Sequence, residues 1–117
     1  MDASLINREF DGFTAVLRLT FEGYANASAY TLVLELGESH TAGAQALSVQ
    51  FIDVGQLSLS HFGGGLTQLL CLRAKYVGDK QLDRVTYEVA DLERNSITFT
   101  CRTFDVIRRY YVGDGVP

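Results

Sequence analysis

The stretch Ser96-Ile97-Thr98-Phe99-Thr100-Cys101 constrains the fold more than any other. Apolar Ile97, Phe99 and Cys101 alternate there with polar Ser96, Thr98 and Thr100. Successive side chains of a strand point to opposite faces, so this period places one set on a core and the other toward water. A strand wet on one side belongs to an antiparallel sheet, because parallel strands are covered on both faces. Related patterns run through residues 46–106, and no segment among them carries a catalytic signature. The one proline is Pro117, so the ladders of such a sheet miss no backbone donor in the body of the chain.

Extending the pattern gives an element order. Residues 2–9 read as a short helical turn or an irregular lead-in. Residues 13–22 read as a strand with Leu17, Leu19 and Phe21 on one face and Arg18 and Thr20 on the other. After a small and polar turn, residues 30–36 form a second strand with Leu32, Leu34 and Leu36 inward. Residues 47–54 form a third, with Leu47, Val49 and Phe51 on one side. Residues 56–60 continue extended beyond Gly55, which marks a bulge or a turn. Residues 69–77 follow as a further strand. Apolar positions 66, 69, 70, 74 and 76 also fit a helix face, but Leu70, Leu72, Ala74 and Tyr76 alternate with Cys71, Arg73 and Lys75 and favour a strand. Residues 85–90 and 96–106 make a hairpin around Leu92-Glu93-Arg94-Asn95. Phe104 and Val106 are out of step with Phe99 and Cys101, which places a bulge near Arg102-Thr103.

The expected fold is therefore mainly β: a single antiparallel β domain over residues 1–117, as a curved sheet, sandwich or partly open barrel, with at most one short helix. A chain of 117 residues is long enough to bury a self-sufficient core. The expected core residues are Leu17, Leu19, Leu34, Val49, Phe51, Leu72, Val89 and Phe99.

Bulk charge narrows the function classes. A net charge of −4 disfavours a general nucleic-acid binder, which needs a basic footprint. The opening residues lack the basic and apolar regions of a secretion signal, and no apolar run approaches the ~20 residues that span a bilayer. A soluble, cytoplasmic protein without membrane contact is the expectation. Cys71 and Cys101 have no Cys-x-x-Cys spacing, so buried free thiols are the simplest reading, and a bridge would need their strands to be neighbours. His40 and His61 are the only histidines and lack companions at metal-ligand spacing, so neither a metal nor a cofactor is expected.

The most site-like segment is Ser60-His61-Phe62-Gly63-Gly64-Gly65-Leu66-Thr67-Gln68. Three consecutive glycines can expose backbone N–H groups to an anion, with Thr67 and Gln68 adding polar contacts. A glycine loop that simply needs positive φ is the plainer account. His61 could form an acid–base pair with Asp53 if the intervening strands meet, although loop histidines are usually solvated. Asp79, Asp83, Glu88, Asp91 and Glu93 form an acidic set that would suit a basic protein partner. Lys80, Arg84 and Arg94 are interleaved with it, which also fits a neutralised, solvated face. Arg108-Arg109-Tyr110-Tyr111 could stack on a single-stranded nucleic acid, but reads better as a strand end.

The portion from residue 49 to 106 resembles small bacterial immunity-type proteins, which are encoded beside polymorphic or contact-dependent toxins. The residues that carry the likeness are Phe62-Gly63-Gly64-Gly65-Leu66-Thr67-Gln68, Val85-Thr86-Tyr87-Glu88-Val89-Ala90-Asp91, and Ile97-Thr98-Phe99-Thr100-Cys101 with Phe104-Asp105-Val106. The chain departs from some of these proteins in lacking a Trp-Pro and Phe-His-Asp opening. The resemblance implies a non-enzymatic protein that binds and blocks one cognate protein toxin, with no catalytic residues. The expected binding residues are His61, Phe62, Gly64, Thr67 and Gln68 in the glycine loop, and Asp79 and Asp83 in the acidic turn. The competing expectation is a small-ligand-binding or hydrolytic β-barrel with a pocket near His61.

Overall fold

The computed structural model describes residues 2–23, 29–78 and 85–113. Among these residues one helix precedes seven strands: α1 (Ala3–Gly12), β1 (Ala15–Gly23), β2 (Tyr30–Gly37), β3 (Gln45–Leu59), β4 (Leu72–Tyr76), β5 (Tyr87–Asp91), β6 (Ile97–Cys101) and β7 (Thr103–Tyr111). All pairings are antiparallel, in the order β1-β2-β3-β6-β5-β4, with β7 also on β3. The fold is the mainly β sheet that the alternation predicts, curved but not closed into a barrel.

The bend of the sheet has a definable origin. The edge of β3 that faces away from β2 is shared: Gln45 to Ile52 pair with β7, and Gly55 to Leu59 pair with β6. Because Cys101 and Thr103 are separated by Arg102 alone, β6 and β7 run as one ribbon along β3, broken at a common corner. Across that corner Asp53 and Gln56 adopt positive φ, Arg102 N–H donates to the Ile52 carbonyl at 2.9 Å, and the Arg102 guanidinium lies 3.6 Å from the Asp53 carboxylate. Bulged residues bend a strand and increase its twist. β6 passes close to Gly55: a Cβ at this position would lie 3.2 Å from Thr100 Oγ1, a tight contact. The predicted break at Arg102-Thr103 is this corner, and the two segments expected on either side of Gly55 are a single strand of 15 residues.

The corner folds one half of the sheet over the other and encloses one apolar cluster. Leu32, Leu34 and Leu36 of β2, Leu47, Val49 and Phe51 of β3, and Ile97, Phe99 and Cys101 of β6 are all buried in it. Phe51 is central, edge-on to Phe99 at 4.8 Å between centroids and tilted against Phe104 at 6.1 Å. Of the expected core residues, Leu34, Val49, Phe51, Leu72, Val89 and Phe99 are buried. Leu17 and Leu19 are only half-buried. The register of β1 against β2 slips between Val16 and Arg18, so Leu17 is the unpaired residue of a bulge and leaves the alternation. Phe21 stacks on Tyr30 at 4.8 Å at the exposed rim rather than entering the core.

Two further segments differ from expectation. Residues 3–9 belong to a helix of ten residues, Ala3–Gly12, rather than to a single turn or a lead-in, and Asp2 precedes it as the N-cap. The Asp2 carboxylate caps it by accepting the Leu5 N–H at 2.9 Å, and Ile6 and Phe10, one turn apart, are its buried face. The expected strand over residues 69–77 is shorter, Leu72–Tyr76. The chain before it makes a bridge of Gln68 to Ala15, with Val16 N–H donating to the Thr67 carbonyl and Leu69 N–H to the Thr14 carbonyl. These bonds bring the far end of the sheet against β1 without closing the ladder. Helix α1 packs against β4. Its Asn7 amide exchanges two hydrogen bonds with the Ala74 backbone on the outer edge of β4, at 3.0 and 2.7 Å. Asp11 pairs with Arg73 of β4, and Glu9 pairs with Arg109 of β7. Both cysteines are free thiols, and burial pushes the Cys101 thiol up to about 12.

Candidate functional site

Two loops meet where β3 ends and the β5–β6 hairpin turns. The first spans residues 60–68. Ser60 fastens its start: its N–H donates to the Ser96 carbonyl at 2.9 Å and its hydroxyl to the Asn95 carbonyl at 3.2 Å. Phe62 packs half-buried against the core, and the Thr67 carbonyl is held by β1. Between these anchors Gly63 and Gly64 adopt positive φ with open space around them, so conformation and not crowding requires glycine there. Gly63 N–H makes a long bond of 3.4 Å to Thr67 Oγ1. The span from residue 63 to 66 lies exposed between its anchors.

The second loop, residues 92–95, is built around Asp91. That side chain is 2% exposed and accepts N–H groups of Glu93, Arg94 and Ser96 at 3.2, 3.3 and 3.2 Å. Burial alone would raise its pKa. The backbone donors of Ser96, Glu93 and Arg94, with the Ser96 hydroxyl, outweigh burial and hold the carboxyl below its ordinary value. Asn95 closes the turn in a positive-φ conformation, with its N–H on the Asp91 carbonyl. Leu92 N–H donates to the Cys71 carbonyl at 2.9 Å, tying the turn to the segment that leads into β4.

Between the two loops lies an open groove of about 190 Å³, lined by Leu66, Gln68, Leu70, Asp91, Glu93 and Arg94. Leu66 is 78% exposed, Leu92 67% and Leu70 53%. Among the described residues, Leu66 and Leu92 are the two most exposed large apolar side chains, one on each loop.

The expected binding residues divide in this setting. His61 is exposed at positive φ with Nδ1 3.2 Å from the Ser60 hydroxyl. Gly64 is at the exposed tip and Gln68 lines the groove. Phe62 and Thr67 are half-buried and serve as anchors of the loop. Asp79 and Asp83 lie outside the described residues. Asp91, which the sequence places in an acidic docking set, is a structural hub. Leu66, Leu70 and Leu92 escape sequence reasoning, because a leucine in a loop carries no signal of exposure until the partner loop is placed beside it.

Other candidates are engaged within the fold. His40 Nε2 donates to the Val16 carbonyl at 3.1 Å beside the β1 bulge. Arg109 is paired with Glu9, Tyr110 donates to Glu35 at 2.7 Å, and Arg108 lies over the Tyr110 ring at 4.4 Å. Burial first, then the Glu35 contact, pushes the Tyr110 hydroxyl up to about 12. The Arg-Arg-Tyr-Tyr run is thus a well-tied strand end, in agreement with that reading of the sequence. No group of three His, Cys, Asp or Glu side chains among the described residues is placed to hold a metal ion. No helix among them is long and apolar enough to cross a membrane.

No curated protein and no solved structure matches the chain. A family model described as Immunity protein PIM8 matches residues 6–107, a span that contains the corner, both loops and every residue of the groove. The chain belongs to the Immunity protein PIM8 family.

Proposed function

We propose that this chain is a non-enzymatic, cytoplasmic immunity protein that binds and neutralises one cognate bacterial toxin, and that the groove with its two loops is the docking face. The observation that carries the docking face is the pair of exposed leucines on the two anchored loops, Leu66 within the groove and Leu92 in the turn whose neighbours Asp91, Glu93 and Arg94 line it. A protein interface needs apolar anchors in a concave, partly polar setting, and this is where the chain offers them. Six lining residues are fewer than the roughly 20–30 per side of a stable complex, so the proposed contact extends over the glycine loop. Family membership supports toxin neutralisation as the purpose of that contact.

The test is co-expression with the product of the adjacent gene. That product should arrest growth when expressed alone. This chain should restore growth and co-purify with it, and a Leu66→Ser, Leu92→Ser double variant that still folds should fail to do so. Full rescue by the double variant would show that docking lies elsewhere. Absence of any interaction with the neighbouring product, together with turnover of a small substrate lost in His61→Ala, would replace this reading with a hydrolytic one.

A further inference from the structure

The chemistry of the groove narrows what its partner must present. Its apolar walls, Leu66 and Leu70, come from the chain before β4, and its polar wall comes from the turn of residues 91–94. That polar wall carries two carboxylates, Asp91 and Glu93, and one guanidinium, Arg94. Asp91 is saturated by backbone donors, which keep it ionised and immobile. Its charge is a fixed negative field and not a movable acceptor. Glu93 and Gln68 are exposed, and their side chains make no hydrogen bond or ion pair among the described residues. The groove therefore combines an aliphatic channel, two unengaged acceptors at its rim and a net negative wall. A guest needs an aliphatic stem ending in a planar, multi-donor cation. Arginine has that form, since its methylene stem packs on apolar surface while the guanidinium reaches a carboxylate with two parallel donors.

We propose that the groove takes an arginine side chain of the partner protein, with the stem between Leu66 and Leu70 and the guanidinium on Glu93 and the Gln68 amide oxygen. The assignment rests on the reading of this groove as the docking face. Arg94 then acts as the selectivity element. It repels a cation that enters without reaching Glu93, so only a long side chain in the correct direction gains from the site.

The test uses isotope-labelled full-length protein and three capped tripeptides, Gly-X-Gly with X as arginine, norleucine or glutamate, followed by NMR at millimolar concentration. The arginine peptide should shift the Leu66 and Leu70 methyl signals and the Glu93 amide more than either of the others. Glu93→Gln should weaken its binding about two- to five-fold, the range of an exposed ion pair. Arg94→Ala should strengthen it, and added salt should weaken it. Equal shifts from norleucine and arginine at the same signals would overturn the arginine assignment and leave an apolar docking groove. Tighter binding of the glutamate peptide, lost in Arg94→Ala, would overturn it in favour of an acidic guest. Shifts outside the groove, or none, would also overturn it. The docking face itself is judged separately, by whether the Leu66→Ser, Leu92→Ser variant still rescues growth.

Discussion

The two loops that flank the groove reach the same surface by opposite means. Residues 92–95 are wired from within: one buried carboxylate takes three backbone N–H groups, so the turn has a single shape. Residues 63–66 are held only from outside, by Ser60, Phe62 and Thr67, and two of their glycines sit at positive φ. The hydrogen-bonded turn is a rigid wall, and the glycine loop is a wall whose shape is set at its ends. In the docking face proposed above, the charged side would be preorganised while the apolar side adapts to a guest.

The strongest way to break this contrast is Asp91→Ala. It leaves three backbone donors without their acceptor and should lower stability by about 3 kcal/mol, read as a shift in the urea midpoint. Asp91 also fixes a pH response. Its folded pKa lies below the ordinary 3.8, so its contribution is complete above that value and is lost as pH falls through the lower, folded value. Acid titration of wild type against Asp91→Asn should show this component in the wild type alone.

Gly64→Ala probes the other wall. It forces an alanine to a φ of +73° and should cost about 1–2 kcal/mol. Chemical denaturation measures it, and no loss would show that the loop relaxes freely to another conformation. Leu66→Ser should separate contact from folding. Stability should stay within about 0.5 kcal/mol of wild type, while affinity for the adjacent gene's product falls by roughly ten-fold, as calorimetry would record. The smallest effect belongs to Gly65→Ala. This glycine has no positive φ, and a methyl added to it would meet no neighbour within 4 Å, so the change should stabilise by about 0.5 kcal/mol through the unfolded chain. A clear loss there would mean that the loop is more constrained than its anchors imply.

The core strands are legible in the sequence because their signal is local. Ile97, Phe99 and Cys101, or Leu32, Leu34 and Leu36, declare their inward face by period alone, and all six are buried. Leu17 misleads for the converse reason. Its departure from the core follows from a bulge in the pairing of β1 with β2, and a bulge between two strands is a property of both. The helix is longer than its sequence suggests although Ile6 and Phe10 have the spacing of one turn, because so short an amphipathic segment is stable only through what it packs against. The loop of residues 60–68 is recognisable from its glycines. The groove beside it is not, because Leu72 opposite Asp91 is the pairing that brings residues 66–70 next to residues 91–94. Nothing in either segment announces the other.

The polar ties of α1 carry a consequence for the order in which the chain can be completed. Asn7 meets Ala74 across 67 residues, and Glu9 meets Arg109 across 100. Ten residues of helix are marginal in water on their own. On a ribosome, then, this helix has nowhere to settle until β4 has emerged, and its seat is complete only after β7 follows. Until β4 is in place Ile6 and Phe10 lack the surface that buries them, and the outer edge of β4 is covered only when the helix docks. The nascent protein would thus pass from an open, adhesive sheet to its finished form in one late step.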